Sequence, residues 1–283
     1  MRTDRLLKKS GLPQDEAEYL LAHVLHTDTA HLLAHPEHLV SFISTLRFLR
    51  LCSLRRQHKP LAYLTQEQFF YGQKFMVNPR VLIPRHTTEI LVDSAVQIIE
   101  QNEHINTVID IGTGSGAIVI ATALAVNQNR KNTIRWHASD VSSSSLRVAQ
   151  KNAAKLNAPA ITWHKGSLIE PVAHLLQNNA SKTLLLANLP YLSYEDYAKT
   201  EMQISFEPEH ALLSGIDGLN HYRRLVQELA LLPLGGLHAI FETDPCNIEM
   251  LARYMSEQLP GATLEMTQDE LSLPRFIFAH WFA

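Results

Sequence analysis

The chain has 283 residues, 46% of them hydrophobic and 19% charged, with 25 Lys/Arg against 28 Asp/Glu. Against domains of about 150 residues this length reads as two domains, and the apolar content excludes long disorder. No apolar run approaches the roughly 18 residues of a membrane helix, the first ten residues lack a signal-peptide core, and two distant cysteines, Cys52 and Cys246, make neither a disulfide framework nor a zinc cluster. The expectation is a cytoplasmic protein. The net charge of −3 conceals an asymmetry: residues 1–84 carry +4 and residues 85–283 carry −7. Such asymmetry can steer partners, or reflect two solvated surfaces of different composition.

The first sixty residues read as a small helical bundle. Leu12-Pro13 opens a helix with Asp15 and Glu16 in its first turn, where acids suit the helix dipole, and Ala17, Leu20, Leu21, Val24 and Leu25 recur at helical spacing. A second apolar stripe, Phe42, Ile43, Leu46 and Leu49, ends in the basic tail Arg50, Arg55, Arg56, His58 and Lys59. Cations there offset a helix dipole, or meet an acidic partner. The nearby histidines, His23, His26, His31, His35 and His38, have no cysteine among them, so exposed helix histidines and no metal site are expected. Residues 61–84 change character: Tyr63, Phe69, Phe70, Tyr71, Phe75 and Val77 are strand formers punctuated by Gly72, which predicts a β-hairpin linking two domains. From Arg85 onward helices alternate with seven predicted strands, 107–111, 134–139, 161–164, 183–187, 237–241, 263–266 and 275–280. That alternation predicts an α/β domain over residues 85–283 with a mostly parallel, doubly wound sheet.

The first chemical signal is Asp110-Ile-Gly112-Thr113-Gly114-Ser115-Gly116, between a strand and a helix. Closely spaced glycines let backbone approach a ligand and expose N–H groups at a helix N-terminus. The spacing is G-x-G-x-G rather than the G-x-G-x-x-G of dinucleotide loops, with an acid two residues ahead that would repel pyrophosphate. An acid at the mouth suits a ligand with a positive amine and sulfonium, such as S-adenosylmethionine. Asp140, at the end of the second strand of the domain, can accept from both ribose hydroxyls, or cap the helix that follows.

The second signal is Asn188-Leu189-Pro190-Tyr191, at the carboxyl edge of a buried strand, where open α/β sheets bind ligands. Pro190 holds Leu189 extended, so that the Asn188 side-chain oxygen and the Leu189 carbonyl can converge; Tyr191 offers a flat face with a polar tip. Two neutral acceptors suit an –NH2 on an sp² carbon. Holding both its hydrogens can pyramidalise the nitrogen and aim its lone pair at a methyl sulfonium. Catalysis would then be positioning and electrostatic preorganisation, with no strong base before transfer.

On these residues the chain resembles the HemK/PrmC family of peptide chain release factor glutamine-N5 methyltransferases. The likeness also covers Lys59-Pro-Leu-Ala-Tyr63, Phe69-Phe-Tyr-Gly72, Val81-Leu-Ile-Pro-Arg85, Thr88-Glu89-Ile-Leu-Val92, Glu207-Pro208 and Gly215 through Asp217-Gly218 to Tyr222-Arg223. The resemblance implies a Rossmann-like class I methyltransferase sheet behind a helical docking domain. It implies methyl transfer from S-adenosylmethionine, leaving S-adenosylhomocysteine, to the glutamine amide in the Gly-Gly-Gln (GGQ) loop of class I release factors. By carry-over, Asp110, Gly112 to Gly116, Asp140, Ser167, Leu168 and Asn188 would bind cofactor. Asn188, Leu189, Pro190 and Tyr191 would hold the substrate, with Asn188, Pro190 and Tyr191 at the chemistry. The enzyme would be a monomer with no membrane and no nucleic-acid substrate.

The chain departs from the family pattern at several positions. Leu189 replaces the first proline of Asn-Pro-Pro-Tyr, which keeps the carbonyl acceptor with less rigidity. His86 and Thr87 stand where Pro and Glu are common, Ser167 where an acid is usual near adenine, and Leu273-Pro-Arg275 lacks a Gly-Arg-Asp character. An adenine amino-methyltransferase presents the same –NH2 problem, and Asn-Leu-Pro-Tyr resembles the motif of ribosomal RNA adenine dimethylases. Against it, nucleic-acid enzymes display a basic face. A non-catalytic binder on a methyltransferase fold is the other alternative.

Overall fold

The computed structural model describes every residue except 128, 129, 131, 132, 180, 181 and 283. The chain forms two compact units, Met1–Glu67 with Glu201–Phe206, and Gln68–Thr200 with Glu207–Ala283. Among the described residues no helix is long and apolar enough to cross a membrane.

The first unit contains α1 (Thr3–Lys8), α2 (Gln14–Leu25), α3 (Thr29–Ala34), α4 (Phe42–Arg56) and α5 (Leu61–Thr65) around Leu6, Leu20, Leu21, Leu32, Phe48 and Cys52. Two expectations are corrected. Residues 61–65 are helical: Pro60 stands at the N-cap, four of the five residues are buried, and Gln66 ends the turn in the left-handed region at φ +60°. In α4 the predicted apolar stripe faces outward, with Phe42, Ile43 and Leu46 at 76%, 65% and 52% exposure, while Thr45, Phe48 and Cys52 are buried. The helix carries two apolar stripes about 100° apart, and packing against α2 selects the second. The basic tail is partly internal. Arg55 makes a two-pronged ion pair with Glu16 at 2.6 and 2.7 Å and donates to Gln203 at 3.0 Å; Arg56 donates to the Ser10 carbonyl. His26, His31, His35 and His38 are exposed.

The hairpin is β1 (Glu67–Phe70) and β2 (Gln73–Met76), joined at Tyr71 and Gly72 with φ of +49° and +67°. Two successive positive φ values match the twist of a two-residue hairpin. Phe70 and Phe75 are buried edge to face, 5.9 Å apart.

The second unit is built on a seven-stranded sheet of order β5-β4-β3-β6-β7-β9-β8. Its strands are β3 (Thr107–Ile111), β4 (Arg135–Asp140), β5 (Ile161–Lys165), β6 (Thr183–Asn188), β7 (His238–Glu242), β8 (Ala262–Gln268) and β9 (Pro274–Trp281). β5 through β7 in that order are parallel; β9 is antiparallel to both its neighbours. All seven predicted strands are present, displaced by at most two residues. β3 is buried on both faces, as a central parallel strand must be. Val108, Leu184, Leu186 and Ile240 meet α6 (Glu89–Gln101) and α7 (Ala117–Ala125) on one face. Ile109, Ile111, Leu185 and Phe241 meet α9 (Ala173–Asn179), α11 (Asn220–Leu229) and α12 (Ile248–Gln258) on the other. Two further helices among the described residues are α8 (Ser143–Lys155) and α10 (Tyr194–Lys199). The strand order reverses between β3 and β6, so a crevice opens at their carboxyl ends.

Candidate active site

A cavity of about 240 Å³ lies at that crevice. Gly112 and Gly114 from the loop after β3 line it, with Asp140 at the end of β4, Ser167 and Leu168 after β5, and Asn188, Leu189 and Pro190 at the end of β6. The sequence-selected segments therefore converge from four strand ends. Thr113, Ser115, Gly116, Asp110 and Tyr191 do not line it.

The glycine loop needs its glycines for backbone reasons. Gly112, Gly114 and Gly116 have φ of +71°, +55° and +81°; a Cβ on Gly112 would meet Leu189 Cδ2 at 2.9 Å, and one on Gly116 would meet Ile120 Cδ1 at 2.8 Å. The loop is held from behind by Asn152 on α8, which is fully buried. Its Oδ1 accepts from Met76 N (2.7 Å), and its Nδ2 donates to the carbonyls of Met76 (3.0 Å) and Ser115 (2.9 Å). Asp140 accepts from the Gly114 N–H at 2.9 Å and the Ser142 N–H at 2.8 Å, which sets its carboxylate at the cavity wall; burial raises its pKa. Each of its oxygens keeps a lone pair for a ligand hydroxyl.

Asp110 does not stand at the mouth, as the sequence suggests. It is fully buried beneath the loop, where Thr113 Oγ1 donates to its Oδ2 at 2.6 Å and the Val119 backbone N–H lies close enough to steady the carboxyl. Burial, reinforced by Asp140, pushes its carboxyl up to about 7. Burial wins because the central strand is covered on both faces.

Leu168 sits in the left-handed region, φ +49°, unusual for a residue with a branched side chain, and its carbonyl accepts from Ser139 Oγ at 3.1 Å. Arg224 donates to Ser167 Oγ at 3.3 Å. The Leu189 N–H donates to the buried Tyr222 hydroxyl at 3.0 Å, and that hydroxyl donates to the Glu242 carbonyl. Asn188 Nδ2 donates to Thr88 Oγ1 at 3.2 Å. Tyr191 does not line the cavity and packs against the core cluster beneath it. Its carbonyl accepts from Asn247 Nδ2 at 3.1 Å, and burial with the nearby Glu242 keeps its phenol protonated. The signature segments quoted from the sequence also meet: Glu207 accepts from the Ile83 N–H at 3.0 Å and pairs with Arg85. Sequence reading did not single out Arg80, His210, His221 and Arg224, which also line the cavity, nor Glu242 behind it. His221 lies inside the 215–223 segment and Arg80 and Arg224 flank quoted segments without being part of them, while His210 and Glu242, at the end of β7, belong to no quoted motif.

The PrmC N-terminal domain family matches residues 2–65. Proteins named release factor glutamine methyltransferase align over most of the chain. The one from Bacillus subtilis (strain 168) is 31% identical over 268 residues, 93% of this chain and 90% of that protein. The one from Moorella thermoacetica is 36% identical over 230 residues, 81% of this chain and 77% of that protein. Among solved structures, the hMettl16 catalytic domain in complex with MAT2A 3'UTR hairpin 6 superposes with a TM-score of 0.55 at 16% identity, covering 86% of this chain and 83% of that one, a likeness of fold alone. Near-full-length identity above 30%, on a sheet whose carboxyl edge gathers the glycine loop and the Asn-Leu-Pro-Tyr segment, makes the chain a member of the release factor glutamine methyltransferase family.

Proposed function

We propose that the protein transfers a methyl group from S-adenosyl-L-methionine to N5 of the glutamine in the Gly-Gly-Gln motif of class I peptide chain release factors. The observation that carries this reading is the shared cavity: Asn188, Leu189 and Pro190 line the same space as Gly112, Gly114 and Asp140. The residues present fit the cofactor. Asp140 supplies acceptors for ribose hydroxyls, Leu168 an apolar wall for adenine, and the glycine loop a close backbone approach. Asp110 does not line the cavity, and burial holds its carboxyl towards the neutral form, so its part is to brace the loop through Thr113. When bound, the cofactor supplies an electrophilic methyl group on a sulfonium. Ser167, held by Arg224, stands beside the expected adenine position in place of an acid.

Asn188 Oδ1 and the Leu189 carbonyl accept the two amide hydrogens of the substrate glutamine. That grip localises the nitrogen lone pair and holds it for in-line attack. With the cofactor bound, the methyl group would pass from its sulfonium, which would leave as the thioether, to this nitrogen, which would then release one proton to solvent, so no strong base is needed beforehand. Tyr191 contributes through its backbone position after Pro190. The reading carries with it a monomer acting in the cytoplasm, where release factors work, on a protein rather than a nucleic acid.

The test is methyl transfer from labelled S-adenosylmethionine to an unmethylated class I release factor, its Gly-Gly-Gln→Gly-Gly-Ala variant and bulk ribosomal RNA. Label on the unaltered factor alone is expected. Label on RNA would replace this reading with an adenine enzyme, and cofactor binding without label would make the chain a non-catalytic binder.

A further inference from the structure

Asn188 and Glu242 are direct partners in the register of β6 and β7. Thr88, in the 3-10 turn before α6, bridges them. Its Oγ1 lies 3.1 Å from Glu242 Oε1 and 3.2 Å from Asn188 Nδ2. Thr88 and Glu242 are only 4% and 1% exposed, which leaves water little access to the link. A threonine hydroxyl has one proton to give, and an ionised carboxylate can only accept. With the Thr88 proton on Glu242, its oxygen can only accept from Asn188. An asparagine amide has two orientations related by a flip, and its neighbours decide between them. Thr88 therefore requires the Asn188 NH2, and Oδ1 is left for the cavity. Glu242 Oε2 has no hydrogen-bond partner among the described residues, an uncommon state for a buried carboxylate oxygen in a folded core.

We propose that Glu242 and Thr88 are positioning residues that act through Asn188, fixing its amide so that Oδ1 is the atom offered to the substrate amide. The proposal rests on the reading that Asn188 receives the glutamine. Neither residue touches substrate. The groups facing Glu242 are Thr88 from the turn, Arg275 from β9, Tyr191 after β6 and Tyr222 from α11. Burial pushes the Glu242 carboxyl up to about 7, against the pull of Thr88 and Arg275. Once protonated, Glu242 can donate to Thr88, whose own proton then pairs with Asn188 Oδ1. The amide turns over and presents a donor where an acceptor is needed. Turnover therefore falls as pH drops below about 7.

The experiment follows the Asn188 side-chain amide by ¹⁵N NMR in the full chain and, in parallel, glutamine methylation of a class I release factor. In the unaltered protein the amide signals shift with a single titration near 7; signals that stay constant through that range overturn the proposal. Thr88→Val lowers kcat by about tenfold or more while KM and cofactor affinity stay within about threefold, and Thr88→Ser keeps kcat within about threefold. Glu242→Gln, whose own NH2 can donate to Thr88 as the protonated acid does, holds kcat near its low-pH level across the whole range. A Thr88→Val enzyme with unchanged kcat, or a Thr88→Ser enzyme as slow as Thr88→Val, overturns the link. Should the unaltered protein label no release factor, the proposed function falls, while the amide titration still decides whether Glu242 and Thr88 set Asn188.

Discussion

A proline at position 189 would have no N–H, whereas the Leu189 N–H donates to the Tyr222 hydroxyl at 3.0 Å and the Leu189 side chain packs against Gly112. Rigidity that a ring would supply covalently comes instead from a buried hydrogen bond and a packed side chain. Tyr222→Phe leaves the Leu189 N–H and the Glu242 carbonyl short of a partner inside the core, and is expected to lower unfolding free energy by about 2 kcal/mol in chemical denaturation. Asn188→Ala removes one of two acceptors for the substrate amide. It is expected to lower kcat by about a hundredfold or more, with cofactor affinity by calorimetry little changed. The glycine loop and Asn188 were legible in the sequence because each sits in a run of neighbours that share its purpose. Thr88 and Glu242 are 154 residues apart, and no local pattern joins them.

The strand–loop–helix element at the cavity depends on Asn152, a polar residue on the buried side of α8 among Leu146, Val148 and Ala149. One side chain there satisfies three backbone groups, tying β2 to the glycine loop. Asn152→Ala is expected to cost about 3 kcal/mol and to weaken cofactor binding, measured by denaturation and calorimetry on the same protein. Gly116→Ala forces a Cβ against Ile120 and Ala149 at a φ of +81°, so a loss of about 2 kcal/mol or more is expected in the same assay. Element type was readable from periodicity in the long segments. The short helices α1, α3, α9 and α10 escape because six or seven residues hold less than two turns of pattern. In α4 both candidate stripes are apolar enough to be buried, and only the position of α2 distinguishes them.

Across the sheet, stacked histidines join neighbouring strands: His238 with His280 at 4.2 Å, and His137 with His164 at 5.3 Å. Burial and the neighbouring histidines lower His238 and His137 to about 4 from the ordinary 6.5. Between those values the folded protein binds fewer protons than the unfolded chain. The stability of these pairs is whole above about 6.5 and is lost as pH falls towards 4. Asp110 and Glu242 act in the opposite sense. Their folded pKa values near 7 exceed the ordinary 3.8 and 4.5, so their contribution is whole at low pH and is lost as pH rises through about 7. The opposing sets flatten the stability profile of the whole molecule in mild acid. His238→Gln removes one histidine contribution, and its stability relative to the unaltered protein is expected to rise as pH falls from 6.5 towards 4, read by denaturation at several pH values.

The amino-acid sequence by itself determined the strand–helix alternation, the glycine loop and the Asn-Leu-Pro-Tyr edge. Those features follow from side-chain periodicity, from turns that demand positive φ, and from a polar residue ending a buried run. Only the tertiary structure decided that Asp110 lies beneath the loop, that Tyr191 packs against the core rather than lining the cavity, and that Glu242 and Thr88 stand behind Asn188. Burial and hydrogen-bond partners at those positions are set by strands and helices far apart in the chain, brought together by parallel pairing, which local sequence does not encode.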